Sequence, residues 1–408
     1  MTTTSITSMT AQVDGVKSPA SWNGKLNGKM NGATETVNEW SEPGSAAFDF
    51  RSMPPPNAAV FFAGQRALLI SESCATGDTV TRPTKRMLAA IAATTLQDDD
   101  FREDPTTLGL EEWIAELTGK ESALFVISGT MGNQLCVRAH LKSPPNSVLC
   151  DARSHLVTHE AGGVASLSGA MVNCVSPANG LYLTQADVEA HFNRGTLITD
   201  CPTRLIVLEI PLGGVIMPLA ECRRISEWAR AQGIALHLDG ARLWEAVAAG
   251  AGSLRDYCSC FDSISLCFSK GLGAPIGSVL VGSKALTEQA RWIRKSIGGG
   301  MRQAGVVCAA ARAAVEDTFM GGQLQRAHNR ARDIATFWES HGGRLVYPVE
   351  TNMVWLDLKS VAWSPERLIE RGAELGLRFM GARIVVHYQI SNEAISRLQS
   401  LMREILST

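Results

Sequence analysis

The stretch from Phe261 to Pro275 limits this chain's fold more than any other. Ile264 to Phe268 reads as a strand, and Gly271, Gly273 and Pro275 break it. Lys270 therefore stands at a strand end, followed by small residues. A lysine sheltered there can shed its proton and attack a carbonyl, although taken alone the same pattern fits a surface lysine on a loop. About thirty residues earlier, Leu236-His237-Leu238-Asp239-Gly240-Ala241-Arg242 is an apolar strand that ends in an acid. An acid and a lysine at successive strand ends form the pair that pyridoxal 5'-phosphate requires. The acid keeps the pyridine nitrogen protonated, and the lysine carries the Schiff base.

The chain has 408 residues. Single cores stop growing near about 250–300 residues, so two domains are expected. The content is 45% hydrophobic and 19% charged, as in ordinary soluble globular proteins. A net charge of -2 gives no general attraction to nucleic acid or anionic membrane. No apolar run of about 18 residues marks a membrane span. The ten cysteines are scattered through strand-like and helix-like segments, and read as small buried hydrophobes of a reducing compartment. Cys258-Ser259-Cys260 lacks a second pair at zinc-binding spacing, so no metal site is expected.

Residues 1–49 are rich in Ser, Thr, Asn and Gly and hold too few large apolar side chains to order themselves, so a disordered tail is expected. The tail has no secretory signal and no arginine, leaving the cytoplasm as the default location. From Phe50 the pattern becomes α/β. Helices are expected over Pro83 to Ala93, Leu108 to Leu117 and Leu135 to Leu141, and strands over Ser122 to Ile127, Ser147 to Cys150, Leu205 to Glu209 and Ile234 to Leu238. Alternating strands and helices imply a parallel sheet with ligands at the strands' carboxyl ends. The small polar turn Ser128-Gly129-Thr130-Met131-Gly132-Asn133 lies between a strand and a helix, where exposed amides can cradle a phosphate. Many such turns bind nothing. Gly298 to Gln303, ahead of a helix over Val306 to Val315, is either a plain connector or a turn presenting Arg302 to an anion. Toward the C-terminus, strands are expected over Leu345 to Tyr347, Asn352 to Leu358 and Ala382 to His387, with a helix over Pro365 to Leu375. The expected division is a large domain at 50–312 with a mainly parallel sheet, and a smaller α+β domain at 313–408.

Gly77 to Thr84, Glu103 to Thr106, Ser128 to Asn133, Asp239 to Arg242, Ser269 to Leu272 and Gly298 to Gln303 together resemble the threonine aldolases. Those are pyridoxal phosphate enzymes of the aspartate-aminotransferase fold, and the match runs in family order from about residue 70 onward. The resemblance implies that Lys270 binds the cofactor covalently and that Asp239 pairs with its ring nitrogen. It implies that Gly129 and Thr130 hold the phosphate, and that His155 stacks on the ring and serves as an acid or base. Arg242 and Arg383 match arginines that bind the substrate carboxylate, a task suited to a planar fork of donors. Arg302 matches an arginine that reaches a neighbouring subunit's phosphate, so a homodimer or homotetramer with shared active sites is implied.

The chain differs from the family pattern around the substrate. Gly77 stands where the family usually has a carboxylate-binding serine, and Phe101-Arg102 replaces Tyr-Gly. After Glu209 come Ile210, Pro211, Leu212, Gly213 and Gly214, without the histidine that in many members reads the substrate β-hydroxyl. Three functions follow from the resemblance. One is a lyase that cleaves Cα–Cβ of threonine or allo-threonine to glycine and acetaldehyde. Another is an alanine racemase, like certain fungal relatives that supply D-alanine to peptide synthetases. The third is a silent scaffold, against which the retention of Lys270 and Asp239 argues.

Overall fold

The computed structural model describes residues 73–407, so the tail expected over residues 1–49 lies outside the described residues. The main sheet has seven strands: β1 (Ser122–Val126), β2 (Ser147–Asp151), β3 (Met171–Val175), β4 (Thr203–Glu209), β5 (Ala235–Asp239), β6 (Ser263–Cys267) and β7 (Ser278–Gly282). Their spatial order is β1-β7-β6-β5-β4-β2-β3. β7 pairs antiparallel with both its neighbours, and the other pairings are parallel. The α/β class with a mainly parallel sheet is therefore what the sequence pattern implies. β2, β6 and β7 are buried along their whole length, as expected for strands covered on both faces. Sequence reading passes over β3 and β7. β3 is an edge strand whose first four residues are exposed or half-buried, so it has no apolar run. β7 has only five residues and is flanked by glycine and serine.

Helix starts differ from the expected ones because capping side chains set them. Lys85–Ala92 begins after Thr84, whose hydroxyl accepts from the Met87 amide. Pro105–Thr118 begins after Asp104, whose carboxylate accepts from the Thr107 amide at 2.9 Å. The polar turn after β1 is largely the first turn of the helix Gly129–His140. Ser128 caps it, accepting from the Met131 amide at 3.1 Å, a favourable arrangement at any helix start.

One core cluster runs from Met87 to Leu324 around the main sheet. A second holds Ala75 together with side chains from Ala327 to Ile405. The second cluster lies among the helices Gln323–Ser340, Pro365–Glu374 and Asn392–Leu406 and a two-stranded antiparallel sheet of β8 (Met353–Trp355) and β9 (Arg383–Val385). The strand expected over Leu345 to Tyr347 is reduced to an isolated bridge between Leu345 and Leu356. All ten cysteines are free thiols. Among the described residues no helix is long and apolar enough to cross a membrane.

Candidate active site

The carboxyl ends of β1, β2, β4, β5 and β6 share one edge of the sheet. They lead respectively to Ser128-Gly129-Thr130, to His155, to Glu209, to Asp239 and to Lys270. Glu209 and Asp239 are register partners at the ends of adjacent strands. The edge thus assembles residues separated by more than a hundred positions in the chain.

Lys270 is half-buried. Its carbonyl accepts from the Thr81 hydroxyl at 2.8 Å and from the Gly273 amide at 2.9 Å, which fixes the turn. Its amine has no hydrogen-bond or ion-pair partner among the described residues, yet its charge is felt by Asp78, His155 and Glu209. Below the turn, a Cβ on Gly271 would collide with the buried carboxylate of Glu245, which is itself bonded to His328 at 2.6 Å. Glycine is what lets the turn lie this low.

Asp239 is buried. Its Oδ1 accepts from the Ala241 amide at 3.0 Å, and its Oδ2 from Asn133 Nδ2 at 2.8 Å. The same Asn133 nitrogen donates to Glu160 Oε1 at 2.8 Å, and Gln134 donates to Glu160 Oε2 at 2.6 Å. His155 Nδ1 lies 2.8 Å from Glu160 Oε1. Polar atoms of His155, Glu160 and Asp239 lie within 4.8 Å of one another. Protons from Asn133 and His155 fill the space between the acids, so the cluster reads as a hydrogen-bonded knot. Because Glu160 accepts throughout, Nδ1 of His155 carries hydrogen, and Nε2 of the neutral ring is left as the basic nitrogen. The bond to Glu160 raises the pKa of His155 above the ordinary histidine value, against the opposing effect of burial. The backbone N–H of His155 donates to Glu209 Oε2 at 2.7 Å. Burial, reinforced by the facing Asp239 charge, pushes the carboxyl of Glu209 well above its ordinary range.

Gly129 opens the helix pressed against β6, where a Cβ would lie 2.6 Å from Cys267 Sγ. The amides of Gly129 and the half-buried Thr130 stand at the helix start, where an anion can be bound; those of Met131 and Gly132 are taken by Ser128.

Arg242 is the half-buried partner of the fully buried Asp78: Nε donates to Oδ2 at 2.8 Å and Nη2 to Oδ1 at 2.6 Å. Burial opposes ionisation of Asp78, but the guanidinium prevails and lowers its pKa to about 2. Gly77 caps the short helix Asp78–Val80 and so sets the approach of this acid. Arg383 starts β9 and lies 5.6 Å from the ring of Trp355, its register partner. Burial and then the charge of Arg242 lower its pKa. Its guanidinium has no hydrogen bond or ion pair among the described residues. Two guanidiniums that sense each other with one acid between them leave a net positive charge, suited to a carboxylate.

Arg302 and Phe101 lie together elsewhere. Arg302 donates to Asp98 at 2.7 Å and its guanidinium sits 5.7 Å from the centre of the Phe101 ring, which is 70% exposed. Among the described residues no hydrogen bond, ion pair or ring contact joins them to Lys270. Arg102 pairs with Glu288 on the surface. Sequence reading passed over Asn133, Glu160 and Asp78 as site groups. Glu160 follows His155 by five residues, a spacing that only the turn after the helix His155–Thr158 converts into contact.

A profile of the family described as Beta-eliminating lyase matches residues 76–360. The chain is 75% identical over 406 residues to aldolase vrtJ of Penicillium aethiopicum, covering 100% of this chain and 97% of that one. It is 46% identical over 333 residues to the low-specificity L-threonine aldolase of Candida albicans, covering 81% and 88%. It is 43% identical over 373 residues to alanine racemase TOXG of Cochliobolus carbonum, covering 90% of each. The threonine aldolase of Leishmania major shares the fold, with a TM-score of 0.71 at 19% identity over 82% of this chain and 99% of that one. The chain belongs to the Beta-eliminating lyase family and, within it, to the threonine aldolase-like proteins.

Proposed function

We propose that the protein is a pyridoxal phosphate-dependent lyase that cleaves Cα–Cβ of a β-hydroxy-α-amino acid. The observation that carries this reading is the convergence at one sheet edge of the unpartnered Lys270 amine, the buried Asp239 and the uncompensated charge of Arg383. The aldolase name of the 75% identical relative supports the lyase reading. Bound at this edge, pyridoxal phosphate would supply an electron sink for a bond broken at Cα.

Each residue then has a task. The Lys270 amine would hold pyridoxal phosphate covalently, and Asp239 would keep its ring nitrogen protonated. Gly129 and Thr130 would bind its phosphate from the helix start. Arg383, with Arg242 held in place by Asp78, receives the substrate carboxylate. His155 Nε2 takes the β-hydroxyl proton, and Glu160 holds the imidazole in the tautomer that can do so. Arg302 and Phe101, together on an exposed face, meet a second copy of the chain in a homodimer or homotetramer. The division at residues 312 and 313 belongs to the same proposal, with β8 and β9 bringing Arg383 to the edge of the large domain.

Racemisation of alanine is the second reading, favoured by one observation. After Glu209 the loop is apolar, and its carbonyls are tied down by Trp355 Nε1 on Gly213 at 2.8 Å and Thr351 Oγ1 on Gly214 at 2.9 Å. It offers no imidazole to a β-hydroxyl. The 43% identity to a protein named alanine racemase points the same way. Purified protein incubated with L-allo-threonine and separately with L-alanine decides between the two. Acetaldehyde without D-alanine is the result expected of the lyase; D-alanine without acetaldehyde overturns it.

Replacing Glu160 by Gln removes the charge that raises the His155 pKa. The base is active when neutral, so the acid limb of the kcat/KM profile moves to lower pH in this variant. An unmoved limb contradicts the assignment of His155 as the base.

A further inference from the structure

Asp239 is the visible end of a longer line of polar groups. Asn133 Nδ2 faces two carboxylates, those of Asp239 and Glu160, so its orientation is forced. Its Oδ1 then faces His237 Nε2 at 3.2 Å, and only an N–H on that nitrogen can complete the contact. His237 is buried at mid-strand in β5, and burial holds its pKa near 3, so the ring is neutral and carries a single hydrogen. With the Asn133 amide fixed, that hydrogen is on Nε2, and Nδ1 accepts from the Ser263 hydroxyl at 2.8 Å in preference to facing the Ser263 carbonyl oxygen, which lies 3.1 Å away. Ser263 Oγ in turn lies 2.8 Å from His140 Nε2. His140 is half-buried and lines a groove of about 780 Å³ at the opposite end of the sheet, with Lys120, Arg230 and Asp262. Asn133 and His140 lie seven residues apart on one face of the helix Gly129–His140, and His237 and Asp239 alternate on the strand face beneath it.

We propose that His140, Ser263, His237 and Asn133 form a through-sheet positioning line that fixes the orientation of Asp239 against the cofactor's ring nitrogen. None of the first three touches the cofactor or substrate in the reading given above, on which this inference rests. Neutral, singly protonated histidines can transmit orientation only if each bond has a fixed direction, and the amide of Asn133 supplies that direction. Outer partners of metal ligands change metal affinity or activity by about 10- to 100-fold, and an effect at the low end of that range is expected for an acid that holds an organic cofactor.

The test uses the full chain and pyridoxal phosphate itself. His237→Leu is expected to weaken cofactor affinity about tenfold and to shift the absorbance band of the bound cofactor. His237→Gln keeps a donor aimed at Asn133 and is expected to restore most of both. Ser263→Ala is expected to give a smaller shift of the same sign. Folded His237→Leu protein with wild-type affinity and spectrum overturns the proposal, as does an equal loss in the Leu and Gln variants, which marks a packing defect. Should the Leu variant not fold, nitrogen NMR of histidine-labelled wild-type holoenzyme decides: the line requires His237 neutral with hydrogen on Nε2, and hydrogen on Nδ1 refutes it. If the wild-type chain takes up no cofactor, the reading of the site fails. If it does so and His237→Leu behaves identically, this inference alone fails.

Discussion

Asp239→Asn is expected to lower kcat by on the order of 10²- to 10³-fold, the usual cost of losing one preorganised electrostatic partner, while Lys270 still binds the cofactor covalently. Asp239 is buried, and its two oxygens accept from the Ala241 amide and from Asn133. An amide keeps the shape and one of these two contacts, and it brings no negative charge to face a protonated ring nitrogen. The prediction is therefore a separation: cofactor still attached, turnover lost. Steady-state kinetics beside the absorbance spectrum of the same preparation checks it. A variant with wild-type kcat shows that the acid does not tune the cofactor.

The second large effect concerns stability. Asp78→Asn leaves the half-buried Arg242 guanidinium without its counter-charge, which costs about 3 kcal/mol, the low end for a broken buried pair because the arginine side chain keeps 17% exposure. The pair also predicts the pH dependence of the wild-type protein. The pKa of Asp78 is lowered from 3.8 in the unfolded chain to about 2 in the fold. Its contribution, roughly 2 kcal/mol, is present in full above the unfolded value and is lost as pH falls through the folded one. Urea denaturation between neutral pH and pH 2 is expected to show an acid-sensitive step that Asp78→Asn lacks. The variant is also expected to raise KM more than it lowers kcat, because Arg242 then loses the acid that aims it at a carboxylate. Equal stability of the two proteins at neutral pH contradicts this account of the pair.

Much of the site is legible in sequence because strand ends announce themselves. Asp239 and Lys270 each close an apolar run, and Ser128 caps the helix after another, so local pattern alone places them at one edge of a parallel sheet. What pattern does not show is partnership at a distance. Asp78 and Arg242 are 164 residues apart, and Asn133 and Asp239 are 106 apart. No periodicity links such pairs; the strand order does. For the same reason Arg242 reads as a free carboxylate binder, while the structure commits two of its nitrogens to Asp78. Phe101 and Arg302 have no sequence relation, yet they share an exposed contact. Glu160 and Asn133 look like ordinary polar helix and turn residues until burial puts three donors around one carboxylate. The second, smaller sheet is poorly legible because its strands are three residues each, too short for alternation to register.

The whole account depends on the Lys270 amine carrying pyridoxal phosphate. Borohydride reduction of the protein loaded with cofactor, followed by digestion and mass spectrometry, reads this out directly. The account predicts the pyridoxyl mass on the peptide containing Lys270 and on no other lysine. The same mass on a different peptide, or on none, contradicts it.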